Sequence, residues 1–383
     1  MIHLFIGTKA QFIKMAPIMA ELRERGLAYR YVDSGQHAEI TRSLRRVFGT
    51  GEPDVCLRSA NEDIVSKLQA LRWTAELMTA CWTRRHWLRT EVFPGGGICL
   101  IHGDTLSTLI GLHMARAAGL KVAHVEAGLR SYRVLDPFPE ELVRIWCMRF
   151  ADLLFAPSAQ AVENIRKMRL RGRLVDAGGN TVVDALRLME GATTTVDVPD
   201  RPFALATCHR LETLTQRSRL KRVVDLMNHV SSTWPVLFVV HKPTRRALEE
   251  FDLLERLGEK VRLLEMQDYV NFTALLRAAR VVLTDGGSIQ EECAYLNKPC
   301  LILRHSTERP DGLGTNAVLW NYDPEQLARF QQLCRSVREL PPRAWPRPSR
   351  RIVDALVEMG CAQSSAPAPG GRPALGAGFS ETA

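Results

Sequence analysis

One stretch of the sequence gathers residues that are suited to acid–base chemistry. The apolar run from Leu120 to Val125 predicts a buried strand that contains His124, and Glu126 and Arg130 follow its end. Two prolines then precede a predicted helix that opens with Glu140. Ligands of open parallel sheets bind beyond the carboxyl ends of the strands. The stretch therefore predicts a cleft that holds carboxylates, a histidine and an arginine.

Asp104 follows the preceding predicted strand and adds another acid to this cleft. Carboxyl groups whose surroundings separate their pKa values can act as general acid and general base. Simpler roles stay open for both residues. Glu126 could form a salt bridge to Arg130 four positions on, and Asp104 could cap the helix that begins near Thr105.

Polar residues also follow the predicted strands of the second half of the chain. His209 and Arg210 come directly after one strand, and His241 after the next. A histidine at such a place can donate to a phosphate or move a proton. A hydrogen-bonded structural histidine is the alternative.

The turn Asp285–Ser288, with Gly286, Gly287 and Ser288, leads into a predicted helix whose free N–H groups suit a phosphate. Glu292 lies one turn into that helix and could accept hydrogen bonds from ribose hydroxyls. The alternative is an acid that stabilises the helix dipole, a role that fits Glu291 better. The chain has no G-x-G-x-x-G after its first strand, so NAD is not inferred.

Three further cations, Lys9, Lys14 and Arg309, are candidates for phosphate binding. A solvated surface charge is an equally good interpretation of each.

Predicted strands alternate with predicted helices, which indicates parallel, doubly wound sheets. The predicted strands cover 3–7, 29–35, 98–103, 120–125, 153–158, 174–179, 203–207, 236–240, 261–264, 281–284 and 300–303. Helices are predicted over 12–25, 61–89 and 108–118. The fold class is thus α/β, with two Rossmann-like sheets in tandem and the active site in the crevice between them.

A chain of 383 residues exceeds one ordinary core, so two domains are expected. We predict domains at 1–190 and 200–360 with a linker near 197–201, and a last helix that packs back on the first domain. The tail 362–383 is rich in Ala, Gly, Ser and Pro and is predicted to be disordered.

Composition narrows the class of protein. The formal net charge of +9 suits a polyphosphate substrate, whereas the chain has no long basic run or motif for nucleic acid. Its nine cysteines lack paired spacing, which predicts core thiols in a reducing cytoplasm. We expect no signal peptide, no membrane span, no metal and no cofactor.

The motifs together identify a family. The chain resembles the non-hydrolysing UDP-N-acetylglucosamine 2-epimerases of the glycosyltransferase-B (GT-B) fold, in the family's order. The matching segments are GTKAQFIKMAP (7–17), SGQH (34–37), GDTLST (103–108), HVEAGLRS (124–131), PFPEE (137–141), GNTVVDAL (179–186), TCHRLE (207–212), TDGGSIQEE (284–292) and STERP (306–310).

The resemblance implies a reaction without NAD or metal. It inverts C2 of a UDP-linked 2-acetamido sugar by eliminating UDP to a 2-acetamidoglucal, which is protonated on the other face before UDP adds again. It also implies a homodimer.

The resemblance also implies roles for individual residues. Asp104, Glu126 and Glu140 match the acid–base carboxylates, and His209 the essential histidine. By the resemblance, the Gly286–Ser288 turn and residues near it contact the phosphates. Glu292 contacts the ribose, and Phe272 packs against the uracil. Arg210 and Arg309 match motif positions near the phosphates. Further candidates for binding the substrate or UDP are Lys9, Lys14, Arg130 and His241.

Departures from the family pattern concern the substrate more than the reaction. The family's usual Gly-Thr-Arg-Pro-Glu is here Gly7-Thr8-Lys9-Ala10-Gln11, and Gln11-Phe12 is similar to relatives that act on UDP-2,3-diacetamido-2,3-dideoxyglucuronic acid. Ala38 stands where the family usually has an arginine, in a region that helps form the allosteric UDP-GlcNAc site of bacterial members. The phosphate turn reads Gly-Gly-Ser instead of Ser-Gly-Gly. A hydrolysing epimerase, a GT-B glycosyltransferase and a catalytically inactive sugar-nucleotide sensor are the alternatives.

Overall fold

The computed structural model describes residues 1–36, 38–58, 67–132, 139–307, 309–336 and 345–361. Some of the sequence-based predictions lie outside these residues. They are His37 of the second motif, Pro137 and Phe138 of the proline motif, Glu308, the first part of the predicted 61–89 helix and the tail 362–383.

The first half of the described chain forms a parallel sheet of seven strands, in the order β3-β2-β1-β4-β5-β6-β7. Its strands are β1 (Ile2–Ile6), β2 (Tyr29–Asp33), β3 (Val55–Cys56), β4 (Ile98–His102), β5 (Lys121–Val125), β6 (Leu153–Ala156) and β7 (Arg173–Asp176). The strand that precedes Glu126, β5, lies between β4 and β6. The carboxyl ends of β4 and β5 therefore place the segments after them side by side.

The second half forms a parallel sheet of six strands, in the order β10-β9-β8-β11-β12-β13. Its strands are β8 (Ala204–Thr207), β9 (Val236–Val240), β10 (Val261–Glu265), β11 (Val281–Thr284), β12 (Cys300–Ile302) and β13 (Ala317–Leu319). Since β8 pairs with both β9 and β11, the segments that carry His209, His241 and Asp285 emerge next to one another.

Helices connect the strands and cover both faces of each sheet. They are α1 (Lys9–Glu24), α2 (Ala38–Phe48), α3 (Lys67–Thr83), α4 (Arg85–Trp87), α5 (Leu106–Ala118), α6 (Glu140–Phe150), α7 (Ala159–Lys167), α8 (Val182–Leu188), α9 (Leu211–Leu214), α10 (Arg217–Ser231), α11 (Lys242–Glu250), α12 (Tyr269–Ala278), α13 (Gly287–Tyr295), α14 (Pro324–Ser336) and α15 (Pro348–Glu358), with a π-helical turn at Leu88–Val92.

Alternate residues of a strand enter different cores. Ile2, Leu4 and Ile6 of β1 belong to one apolar cluster, whereas Phe5 belongs to the cluster on the other face. Such two-sided burial explains why these strands are continuous apolar runs. The α/β fold with two doubly wound sheets is confirmed.

Several elements differ from the prediction. Helix α2 was not predicted. The edge strands β3 and β13 were not predicted either, because two and three residues are too few to show the apolar run of a buried strand. Helix α5 begins at Leu106 instead of Thr108, and Thr105 caps it through a reciprocal contact with Thr108. The alternative role of Asp104 as the helix cap is therefore wrong.

Helix α15 returns from the second half of the chain to the first sheet. Ile352, Val353 and Leu356 enter the same apolar cluster as β1, and Asp354 pairs with Arg25 of α1 at 2.6 Å. Within the described residues, no helix is long and apolar enough to cross a bilayer.

Candidate active site

A cavity of about 370 Å³ lies between the two halves of the chain. Residues of α1 line one side, and the segments after β8, β9 and β11 line the other. Predicted site residues that reach this cavity are Lys9, Lys14, His209, Arg210, His241, Phe272, Gly286, Gly287, Ser288, Glu292 and Arg309. The predicted convergence of strand ends from the two sheets on one crevice is thus present for these residues.

Asp285 begins the predicted phosphate-binding turn, Asp285–Ser288, and forms several of its contacts. One of its carboxylate oxygens accepts the backbone N–H groups of His209 and Arg210, each at 2.8 Å. The other lies 3.1 Å from His209 Nδ1. Burial alone would raise the pKa of Asp285, but the contacts with His209 and with the two N–H groups hold it below its usual value. The buried carboxylate therefore holds the backbone after β8 and lies beside the His209 ring at the cavity wall.

Gly286 makes room for that histidine. A Cβ atom at this position would lie 3.2 Å from His209 Cε1, which is a tight contact. Helix α13 begins at Gly287, so the N–H groups of its first turn have no acceptor within the helix. The Gly-Gly-Ser order thus combines close packing of His209 with free donors for an anion.

Two rings complete this side of the cavity. The His241 ring lies 5.2 Å from the His209 ring, measured between centroids, and His241 directly precedes helix α11. Burial and the neighbouring His209 lower the pKa of His241 to about 4, so its imidazole is neutral at pH 7. Phe272 of α12 lines the cavity as an apolar surface on which a flat ring can stack.

Glu292 is buried and accepts a hydrogen bond of 3.0 Å from the Tyr269 hydroxyl. Burial raises the pKa of Glu292 to about 7. Lys9 faces it from α1, and burial lowers the pKa of that lysine against the opposing effect of Glu292. The carboxyl group can accept hydroxyl donors when it is ionised, as the ribose role requires.

A buried ion cluster joins the two halves behind the cavity. Lys14 Nζ contacts Glu126 and lies 3.2 Å from Glu291 Oε2. Arg309 contacts Glu291, and its Nη2 lies 3.2 Å from Glu126 Oε1. Asn180 donates to Glu126 and, at 2.9 Å, to Glu291 Oε1. The interpretations of Lys14 and Arg309 as surface charges, and of Glu291 as a helix-dipole acid, are therefore wrong.

The pKa values of the two acids in this cluster shift in opposite directions. Burial would raise the pKa of Glu126, but the cations of Lys14 and Arg309 outweigh it and hold the pKa well below the usual value. Burial raises the pKa of Glu291 to about 7 against the same two cations. Glu126 also has a positive φ of 67°, a conformation that costs about 1 kcal/mol or more outside glycine. Such strain is typical of functional positions.

Asp104 belongs to a second chain of charges. It pairs with Arg144, whose other nitrogen donates to Glu141 at 2.8 Å. Glu141 in turn accepts from Arg130, and the alternative Glu126–Arg130 salt bridge is absent among the described contacts. The residues after β5 do not form a helix, and position i+4 is consequently not on the same face. Arg130 is not among the residues that line the cavity.

Glu140 and His124 lie outside these two groups of ion pairs. Glu140 begins helix α6, and its Oε2 is buried without a hydrogen-bond partner among the described residues. His124 is fully buried, and its Nε2 lies 2.7 Å from the Gly103 carbonyl oxygen. Burial lowers the pKa of His124 to about 4. His124 is therefore a neutral support for the segment that carries Asp104.

Gln11 ties the first turn of the chain to that same segment. Its Oε1 accepts the N–H groups of Gly7 and Thr8, at 2.8 and 3.1 Å. Its amide nitrogen donates to the carbonyl oxygen of His102 at 2.8 Å and to Thr108 Oγ1 at 2.9 Å. A carboxylate could not donate to the carbonyl oxygen of His102, so that bond requires the amide of Gln11.

Sequence reasoning missed Glu291, Asn180 and Arg144. Asn180 belongs to the family segment GNTVVDAL (179–186), and Arg144 lies one helical turn after Glu140. Both positions could have indicated a place near the site. Nothing in the sequence shows which face of α13 meets α1. The described residues contain no cluster of three or more His, Cys, Asp or Glu side chains that could hold a metal ion.

Comparison with known proteins adds a family and relatives. Residues 20–344 match the family described as UDP-N-acetylglucosamine 2-epimerase. The UDP-N-acetylglucosamine 2-epimerase of Bacillus subtilis is 33% identical over 372 residues, which cover 92% of this chain and 93% of the relative. The UDP-2,3-diacetamido-2,3-dideoxy-D-glucuronate 2-epimerase of Pseudomonas aeruginosa is 34% identical over 216 residues, 55% of this chain and 59% of the relative.

Solved structures show the same arrangement. The UDP-GlcNAc 2-epimerase of Neisseria meningitidis, bound to UDP-GlcNAc, superposes with a TM-score of 0.77 at 26% identity. The enzyme of Methanocaldococcus jannaschii, in complex with UDP-GlcNAc and UDP, has a TM-score of 0.76 at 26% identity. Each comparison covers 93% of this chain and 99% of the other.

Proposed function

The chain belongs to the UDP-N-acetylglucosamine 2-epimerase family, whose members are isomerases, and we propose that it inverts C2 of a UDP-linked 2-acetamido sugar. One observation carries this proposal. Lys14 and Arg309 line the cavity and also contact Glu126, so a buried carboxylate lies next to two cations at the cavity wall. Cations for a departing diphosphate and a carboxylate for a proton are thus next to each other.

In the proposed reaction, a carboxylate removes the proton from C2 while the bond between C1 and the diphosphate oxygen breaks. The electron pair of the C2–H bond forms the C1=C2 double bond, and UDP leaves with the electrons of the C1–O bond. A second carboxyl group protonates C2 on the opposite face, and UDP returns to C1. Asp104, Glu126 and Glu140 are the candidates for the two proton transfers.

The roles proposed for the remaining residues follow from their surroundings. The free N–H groups at the start of α13, with His209 and Arg210, stabilise negative charge on the diphosphate. Phe272 packs against the uracil, and ionised Glu292 accepts the ribose hydroxyls. Because Arg130 is held by Glu141, we assign it to the support of Asp104 and not to the substrate.

Two further proposals concern the state of the protein. All nine cysteines are unpaired, which supports a reducing, cytoplasmic location. We also propose a homodimer, for which the exposed aromatic pair Trp146 and Phe150 on α6 is a candidate contact, with ring centroids 4.8 Å apart. Light scattering of the purified protein measures its mass directly.

Turnover in D2O, followed by NMR, tests the proposed activity. The enzyme is incubated separately with UDP-GlcNAc and with the UDP-linked 2,3-diacetamido uronate. Deuterium at C2 of a UDP-linked product supports the epimerase and identifies the sugar. Free UDP with free sugar indicates a hydrolysing enzyme, turnover only with an added acceptor indicates a glycosyltransferase, and no turnover under any of these conditions contradicts an enzymatic role.

A further inference from the structure

Glu291 and Glu126 share the same donors from opposite sides of the cleft. Lys14, Asn180 and Arg309 each contact both carboxylates. Glu126 follows the fifth strand of the first sheet, whereas Glu291 lies on α13 of the second. The two acids therefore hold one set of donors in common, and each affects how firmly the other is paired.

Two of the shared donors have a second possible partner. Lys14 and Arg309 line the cavity, while Asn180 does not. A diphosphate in the cavity carries more negative charge than either carboxylate and competes for both cations. As these cations turn toward the diphosphate, the two carboxylates keep only Asn180 as a common neutral donor.

We propose that Glu291 is a positioning residue, which holds Lys14 and Arg309 beside Glu126 in the free enzyme and takes up a proton from solvent when a bound diphosphate draws these two cations away. The inference rests on the proposed function, because it requires a diphosphate in the cavity.

Charge balance explains why a proton is needed. In the free enzyme, two buried anions face two cations. Once the cations pair with the diphosphate, two neighbouring carboxylates in a buried site cannot both stay ionised at low cost, and one of them binds a proton. Burial already raises the pKa of Glu291 to about 7, whereas that of Glu126 is lowered, so Glu291 is the one that protonates.

Other charged and titratable groups surround Glu291 and contribute to its ionisation. Asp311 and Glu126 favour its protonated form, and Arg309 and Lys14 favour its ionised form. Glu292 and Tyr295 of its own helix also interact with it. His102 lies 3.6 Å from Glu126, but burial lowers the pKa of this histidine to about 3, so it is neutral.

The consequence for the reaction is a link between binding and base strength. A carboxylate held by two cations is a weak base. When Glu291 carries the proton, Glu126 stays ionised and loses both cations, so it becomes a stronger base only while the diphosphate is bound. Glu291 thus acts through Glu126 without touching the sugar.

Calorimetry of UDP binding at pH 8 tests the inference. The heat is measured in two buffers with different ionisation enthalpies, and the difference gives the number of protons taken up. At this pH the terminal phosphate of UDP, with a second pKa near 6, is ionised before and after binding. Glu292, whose pKa is about 7, is already ionised in about nine tenths of the free protein molecules at pH 8. Uptake at pH 8 therefore reports Glu291 and not these groups.

The wild type is expected to take up close to one proton per bound UDP. Glu291→Gln, which keeps an acceptor but cannot ionise, should bind UDP with that uptake lost, while Glu291→Asp and the exposed control Glu255→Gln should retain it. Uptake that is the same in Glu291→Gln as in the wild type would overturn the proposal and point to His209 or His241. If Glu291→Gln fails to fold, UDP binding to the wild type without proton uptake still overturns it, whereas no UDP binding at all contradicts the proposed function instead.

Discussion

Lys14 of the first helix forms a buried ion pair with Glu126, which follows the fifth strand. Both side chains are less than a tenth exposed. Lys14 also contacts Glu291 of helix α13. One ammonium group therefore joins the turn after β5 to the helix that follows the Asp285–Ser288 turn. The relation makes the acid–base and anion-binding parts of the site a single electrostatic unit.

Lys14→Met should destabilise the protein, because it leaves two buried carboxylates with fewer cations. We expect the free energy of unfolding to fall by about 3 kcal/mol, the size typical of a broken buried pair. Urea unfolding of the variant measures this. Lys167→Met is the matched control, since Lys167 forms an exposed pair with Glu163 and should change stability by less than about 0.5 kcal/mol. Equal losses in the two variants would contradict the buried network.

Asp104→Asn should abolish the exchange of deuterium into C2 and leave UDP binding nearly intact. The amide cannot transfer a proton, and general acid–base groups contribute roughly 10²- to 10⁴-fold in rate. Arg144 remains paired with Glu141, so the local fold is kept. Exchange followed by NMR, together with calorimetry of UDP binding, gives the two readouts.

The matched control for Asp104→Asn is Asp225→Asn, on the exposed surface of α10, where Asp225 pairs with Lys221. It should exchange deuterium at the wild-type rate. Unaffected exchange in Asp104→Asn would exclude Asp104 from proton transfer.

Glu292 should make stability depend on pH between about 4.5 and 7. Its folded-state pKa of about 7 lies above the ordinary 4.5, so the folded protein binds the proton more tightly than the unfolded chain. The resulting stabilisation is complete below about pH 4.5 and is lost as the pH rises through 7, a change of roughly 3 kcal/mol.

Unfolding of the wild type and of Glu292→Gln, measured at intervals from pH 4.5 to 8, isolates this effect. As the pH rises, the free energy of unfolding of the wild type should fall relative to that of Glu292→Gln. The exposed control Glu255→Gln should show the same pH dependence as the wild type. A constant difference across the range would mean that Glu292 is not held protonated.

Gln11→Ala should lower kcat with little effect on the dissociation constant of UDP. Without the amide, the segment from His102 to Thr108 loses its link to the first turn, and Asp104 within it is less precisely held. Misplacement of about 1 Å can cost 100-fold in rate. Steady-state kinetics and UDP calorimetry check this, with exposed Gln331→Ala as control. An unchanged kcat would show that Asp104 is held without Gln11.

The sequence was sufficient to predict the fold class and most strands of both sheets. Buried parallel strands are continuous apolar runs, and these runs are readable one by one. The strand β3 has two residues and β13 has three, which is too short for such a pattern. The predicted ends of β5, β8, β9 and β11 are correct, and that of β10 is one residue short. The other predicted ends lie one to three residues beyond the strand, because the chain already turns there at glycines such as Gly35, Gly103 and Gly178, which have positive φ.

The candidate site was predicted by residue type but not by pairing. Glu291 was interpreted as a helix-dipole acid because the sequence shows only its distance from the helix start. Its burial depends on the way in which the second sheet meets α1, which is a tertiary contact. The alternative role of Glu126, a salt bridge to Arg130, is not observed, because it assumes helical spacing where the chain turns with Glu126 at φ 67°.

Positional isotope exchange tests the central claim most directly, namely that the bond between the sugar and UDP breaks and forms again during inversion. UDP-GlcNAc, or the diacetamido uronate if that is the substrate, carries ¹⁸O in the oxygen that bridges C1 and the diphosphate. We predict that ³¹P NMR of the recovered sugar nucleotide shows label in the non-bridging oxygens of the phosphate that carries the sugar. Inversion at C2 with all of the label still in the bridge would contradict it.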